Sequence, residues 1–125
     1  MSIDRRIFVS AAAAFAALPA TATAQEQTMY GLIGQFRAHP GKRNELVAIL
    51  TERHDMPGCF SYVVYKDLQD GDVVWVSEVW RDQAAHQASL SIASVKDAIS
   101  RAMPLIAGFG AHHELEAVGG VGLEG

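Results

Sequence analysis

Between Tyr30 and Val118 the apolar positions change period several times, and each change marks an element. Residues 30–38 alternate loosely, with Leu32 and Phe36 on one face and Ile33, Gln35 and Arg37 on the other, which predicts a strand. His39-Pro40-Gly41-Lys42 breaks it. Over 44–54, Leu46, Ile49, Leu50 and Arg53 recur at helical spacing. Pro57-Gly58 predicts a turn. Cys59–Lys66 and Val73–Trp80 are β-branched and aromatic, and the polar loop 67–72, holding Gly71, joins them as a hairpin. Asp82 is placed to cap a helix through Ala84, Ala85, His86 and Ala88. A second helix puts Ile92, Val95, Ile99 and Met103 on one face and ends at Pro104. Residues 108–118 predict a last strand, and the Gly-rich stretch 120–125 a flexible tail.

The resulting order, β-α-β-β-α-α-β, is the α+β ferredoxin-like arrangement with a broken second helix. Helices cover one face of such a sheet. The other is left bare, and a second copy of the chain is the simplest cover for an apolar sheet face.

The first residues read as a leader rather than as fold. Arg5-Arg6 precede an apolar run from Ile7 to Leu18, then Pro19 and small residues ending at Ala22-Thr23-Ala24. This is the build of a secretory signal over 1–24, cleaved between Ala24 and Gln25. The run is too short for a bilayer, which takes about 20 residues. The arginine pair with Phe8 resembles a twin-arginine signal; Asp4 and Ser10 depart from that pattern, and the Sec route is the alternative. The expected location is periplasmic or secreted, and no second apolar segment is long enough to hold the mature chain in a membrane.

Removing the leader leaves about a hundred residues, one compact domain from 25 to 119. The formal charge of −4 becomes one unit more negative without Asp4, Arg5 and Arg6, and no basic stripe occurs, so nucleic acid is not an expected partner. Cys59 is the only cysteine, so no internal disulfide can form, and it reads as a small buried apolar residue. A small unstapled domain has limited core, which again favours a homodimer.

Candidate chemistry gathers between Met56 and His86. Alternation places Val74, Val76, Glu78 and Trp80 on one face of their strand and Trp75, Ser77 and Val79 on the other. The helix bearing His86 starts directly after Trp80, so Trp80, Glu78 and His86 are expected to converge between sheet and helices. An aromatic wall can stack a flat substrate, and a histidine can move a proton near neutral pH. The plainer alternative is a core tryptophan with His86 satisfied by Glu78. Tyr62 and Tyr65 point to opposite faces, so only one can join Trp80. His112 and His113 are strand neighbours and cannot chelate one ion together. His113 is expected on the face of Phe109, Ala111 and Leu115, as a core histidine or a second base; His112 is expected with Glu114 and Glu116. His39 and His54 flank loops and read as solvated. Arg37 could meet an anionic substrate from the first strand. No Gly-rich phosphate loop, CxxC, HExxH or Ser-His-Asp signature is present, and no metal site is expected.

An ordered set of these pieces resembles the antibiotic biosynthesis monooxygenase family. It comprises His39-Pro40-Gly41-Lys42, Pro57-Gly58 with Tyr62, Val74-Trp75-Val76-Ser77-Glu78-Val79-Trp80, Ala84-Ala85-His86, and Val95-Lys96 leading to Pro104-Leu105-Ile106-Ala107-Gly108-Phe109. The chain looks most like the small quinol monooxygenases of that family. The resemblance implies a dimeric α/β barrel and oxygenation of a small phenol or hydroquinone by molecular oxygen, with neither metal nor organic cofactor. On that reading His86 or His113 takes the proton, Glu78 orients the histidine, and Trp80 with Tyr62, Tyr65 or Arg37 holds the ring. Some members degrade haem, using a helix histidine and a first-strand asparagine. Here Ile99 stands at the former position and the first strand has no asparagine. A periplasmic dimer that binds a small aromatic or quinone without turnover is the remaining alternative.

Overall fold

The computed structural model describes residues 28–123. The leader read over 1–24 lies outside the described residues. The elements are β1 (Met29–Ala38), α1 (Arg43–Leu50), β2 (Cys59–Lys66), β3 (Val73–Trp80), α2 (Gln83–Ser89), α3 (Ala93–Ala102), a 3-10 turn (Met103–Leu105) and β4 (Ile106–Ala117). The four strands form one antiparallel sheet in the order β2-β3-β1-β4, the ferredoxin-like topology expected from the order of elements. Among the described residues no helix is long and apolar enough to cross a membrane.

The helices close over the face that carries Leu32, Val74, Val76 and Trp80, all buried. The core centres on Ala38, Leu46, Val74, Val76 and Ala102, with Phe36, Ile49, Leu50 and Ile106 packed around it. Alternation in β3 is as expected from its sequence. On the opposite face Val63 and Tyr65 remain exposed near Trp75, and Leu115 is exposed on β4 opposite Gly31. Trp75 donates from Nε1 to Asp67 at 3.0 Å, tying the open face to the hairpin loop.

Two boundaries and one helix face differ from expectation. The first helix ends at Leu50 rather than near His54. The Thr51 hydroxyl donates to the Val47 carbonyl at 2.8 Å, closing the last turn, and the chain then leaves the helix axis. Beyond it Glu52 accepts two hydrogen bonds from Arg101, and His54 bonds Ser94, so 51–58 runs across to α3. In α3 the buried side chains are Val95, Ala98 and Ala102, while Ile99 and Met103 stay exposed. Finally, β4 starts at Ile106, and its register against β1 shifts between Gly34 and Phe36.

That shift is a β-bulge. Gly34 faces His112 and Phe36 faces Phe109, so β4 spends one extra residue opposite Gln35. The Gln35 side chain fills the gap by accepting from the Ala111 N–H at 3.0 Å. A Cβ on Gly110 would fall 2.1 Å from Gln35 Oε1. The extra residue reverses the alternation of β4. Phe109 joins Phe36 on the helix side, and so do His112, Glu114 and Glu116. His113 pairs with Ile33 on the open face, away from Phe109.

The Pro57-Gly58 turn sits where β2 meets α2. Gly58 has φ +86°, and an added Cβ would lie 2.7 Å from the Cβ of buried Ala85. Left-handed strain costs about 1–2 kcal/mol and overpacking about 1–3 kcal/mol. Gly58→Ala is therefore expected to lower unfolding free energy by about 2–4 kcal/mol in urea titrations. Gly41, with φ +79° and nothing near its added Cβ, isolates the strain term and should lose only that part when changed to alanine.

Candidate functional site

A cavity of about 290 Å³ lies between the helix-side face of the sheet and the layer formed by α2, α3 and the 51–58 segment. An apolar cavity of about 150 Å³ already accepts benzene, so one or two fused rings fit here. Phe36, Val76 and Phe109 come from the sheet, and Val95, Ile99 and Met103 from α3 and the 3-10 turn. The polar groups among its walls are Glu52, His54, Tyr62, Glu78, His86 and Ser89, with Trp80 beside them.

The sheet brings Trp80, Glu78 and Tyr62 together because of register. Tyr62 faces Glu78 across β2–β3, and Trp80 lies two residues on along the same face. Trp80 is 1% exposed, and its Nε1 donates to Glu78 Oε1 at 2.8 Å. That bond holds the carboxylate within the layer rather than in solvent.

His86 arrives from above. The Asp82 carboxylate accepts from the Ala85 N–H at 2.8 Å, as expected for an N-cap, and starts α2 so that the next residue faces the sheet. The imidazole meets the Trp80 ring edge-on at 5.3 Å and the Tyr30 ring at 5.9 Å. Its Nε2 is 4.0 Å from Glu78 Oε1, beyond hydrogen-bond reach but close enough for one hydroxyl to bridge both. Nδ1 is buried and has no hydrogen-bond partner among the described residues. A buried imidazole nitrogen left unpaired is uncommon in a satisfied core.

Two tyrosine hydroxyls report the local field. Burial pushes Tyr62 up to about 12, with Glu78 and Cys59 adding to the effect. The hydrogen bond to Glu114 pushes Tyr30 up to about 12 as well. Of the two, Tyr62 lines the cavity, and its phenol resists ionisation unless a positive group stands beside it. Cys59 is half-buried, and burial followed by Glu78 pushes its thiol up, which makes it a poor nucleophile.

Other candidates sit elsewhere. Tyr65 faces Trp75 and shares a hydrogen bond with Ser77 at 2.9 Å, so it belongs to the open face and not to the cavity. His113 is excluded from the cavity by the bulge, which turns it to the open face. Arg37 pairs with Asp70 at 2.7 Å at the hairpin end of the sheet, committed to that loop. His54, read as solvated, instead lines the cavity and bonds Ser94 at 3.0 Å. Tyr30 and Glu114 were not among the expected site residues. Tyr30 shares the parity of Leu32 and Phe36, and that was the available signal. Among the described residues no cluster of three or more His, Cys, Asp or Glu side chains could hold a metal ion.

Comparison with known proteins places this architecture. A protein from Chloroflexus aurantiacus J-10-fl, named for the antibiotic biosynthesis monooxygenases, is 54% identical and superposes with a TM-score of 0.75, covering 77% of this chain and 99% of its own. A Caulobacter crescentus CB15 protein of the same designation is 22% identical, with a TM-score of 0.67 over 74% of this chain and 92% of its own. A conserved protein of unknown function from Bacteroides thetaiotaomicron VPI-5482 is 17% identical, with a TM-score of 0.65 over 73% of this chain and 99% of its own. The last two share the fold. No curated protein matches the sequence. The sequence profile of the antibiotic biosynthesis monooxygenases matches residues 29–101, more than half of the chain, and with the Chloroflexus relative this makes the protein a member of the antibiotic biosynthesis monooxygenase family.

Proposed function

We propose that this protein is a cofactor-independent monooxygenase that oxidises a small phenol or hydroquinone to a quinone in the cavity beside Trp80. The observation that carries the reading is His86. It lines an apolar cavity of ring size, lies against two aromatic rings and 4.0 Å from a carboxylate, and its Nδ1 is buried with no partner among the described residues.

The chemistry follows from the field. Ground-state dioxygen reacts slowly with closed-shell organic molecules, but an electron-rich phenolate can transfer an electron to it directly. His86 accepts the substrate hydroxyl proton, and the imidazolium forms beside Glu78. Glu78 favours that charge, and the imidazolium in turn offsets the negative surroundings that would otherwise hold a phenol protonated. Tyr62 and Trp80 bound the ring. For a phenol with a free para carbon, one oxygen atom of dioxygen enters the ring and the other leaves as water with the two displaced hydrogens. For a hydroquinone, dioxygen takes two electrons and two protons and leaves as hydrogen peroxide.

An oxygen electrode with 1-naphthol, and separately with 1,4-naphthohydroquinone, tests the reading. Catalysed uptake of one dioxygen per quinone formed is expected, with peroxide from the hydroquinone alone. Tight binding with no uptake above the uncatalysed rate would sink the enzyme reading. It would leave a binding protein for aromatic rings.

The open sheet face supports a homodimer in this reading. Val63, Tyr65 and Leu115 are exposed there, and a second copy of the same face would cover them. Sedimentation equilibrium should give twice the protomer mass; a protomer mass at micromolar concentration would refute the pairing. Export to the periplasm is the location proposed with it.

A further inference from the structure

We infer that the cavity selects its ligand by charge, taking uncharged flat rings and turning away rings that carry a carboxylate. The inference rests on the cavity being the aromatic site proposed above and adds which aromatic compounds it accepts.

The charges around the cavity are unbalanced. Among the described residues no lysine or arginine lines it, whereas Glu52 and Glu78 both do. Arg101 is the guanidinium nearest the Glu52 wall, and it is already committed. It donates to both Glu52 oxygens, at 2.7 and 2.8 Å, and from Nε to Asp97 at 2.8 Å. Two carboxylates share one guanidinium, so Arg101 offers no free positive charge to a ligand at that wall. At the opposite wall Glu78 is held by Trp80 Nε1, a neutral donor that supplies no compensating charge. Glu114 lies behind it, bonded by the Tyr30 hydroxyl. Arg81 pairs with Asp82 at 3.4 Å, and Arg37 with Asp70 on the hairpin loop. His86 and His54 are the remaining groups at the cavity able to carry positive charge, and His54 is engaged with Ser94.

A carboxylated ring would thus bring a second anion into an apolar space beside Glu78, with no free guanidinium or ammonium to meet it. Its desolvation would go uncompensated, because a buried charge needs a paired partner. A neutral hydroxyl has the opposite fit, since it can donate to Glu78 or to an imidazole nitrogen. Tyr62 acts as a built-in phenol exposed to the same field, and its hydroxyl is pushed up to about 12, first by burial and then by Glu78.

The test is anaerobic calorimetry of the full chain at neutral pH with three matched rings: 2-naphthol, 6-hydroxy-2-naphthoate and the methyl ester of the latter. The naphthol and the ester are expected to bind within a few-fold of each other and the carboxylate at least tenfold more weakly. Glu78→Gln should narrow the gap between ester and carboxylate by several-fold, read as the ratio of their two affinities within that variant. Equal or tighter binding of the carboxylate overturns the inference and leaves the aromatic site standing. So does an ester as weak as the acid, because size and not charge would then be excluding both. If none of the three binds, the aromatic site itself fails and the inference fails with it.

Discussion

His86→Ala is expected to lower kcat for naphthol or naphthohydroquinone oxidation by about 10²- to 10⁴-fold, the usual contribution of a positioned general base. KM should change much less, because Tyr62, Trp80 and the apolar walls still bound the ring. Glu78 can still accept the hydroxyl hydrogen, but a carboxylate is a weaker base than an imidazole and takes over little of the rate. The fold should persist, since the variant gives up edge contacts with Trp80 and Tyr30 worth about 0.5–1.5 kcal/mol each. Added imidazole should restore part of the rate if the lost function is proton transfer, because it can enter the space the side chain leaves. Glu78→Gln should give a smaller fall, since the base survives and only the partner of its charged form is lost. An unchanged kcat in His86→Ala removes the histidine from the reaction and leaves the cavity as a binding site.

How far this site was legible in the sequence depended on whether each contact was local. Register within the β2–β3 hairpin follows from the alternation of residues 59–80, and that placed Glu78 and Trp80 on the helix side. The Asp82 cap likewise follows from one residue and the apolar run after it, and it fixes where His86 points. The β4 strand was not legible, because its bulge is held by Gln35, 76 positions before the Ala111 N–H that it satisfies. Strict alternation therefore put His113 with Phe109, and the extra residue separates them. The end of α1 was hidden for the same reason. Residues 51–54 have tolerable helical spacing, but Arg101 and Ser94 offer Glu52 and His54 better partners across the fold. Tertiary hydrogen bonds overrode local propensity in both cases, and both lie at the edge of the cavity.

Trp80 carries the largest expected effect on stability. It is one of the largest fully buried side chains, and it links three elements. It pairs with Tyr30 on β1 and Cys59 on β2, and it meets His86 on α2. Trp80→Ala removes the ring and opens a void that these rigid neighbours cannot refill, at a cost of about 3–5 kcal/mol. The whole stability of such a domain is about 5–15 kcal/mol, so the variant should unfold at markedly lower urea. Trp80→Phe separates packing from polarity. It keeps most of the apolar volume but strips Glu78 Oε1 of its donor, and hydrogen bonds to charged groups contribute about 1.5–3 kcal/mol. Glu78 can recover part of this by turning towards solvent or His86, which places the expected loss at the lower end. Urea titrations should therefore rank wild type above Trp80→Phe above Trp80→Ala. Catalysis should diverge from that order: Trp80→Phe still offers an aromatic wall, but its carboxylate is no longer fixed beside His86, so its kcat should fall while ring binding holds. A phenylalanine variant with full kcat would mean that the Trp80–Glu78 bond serves the core alone.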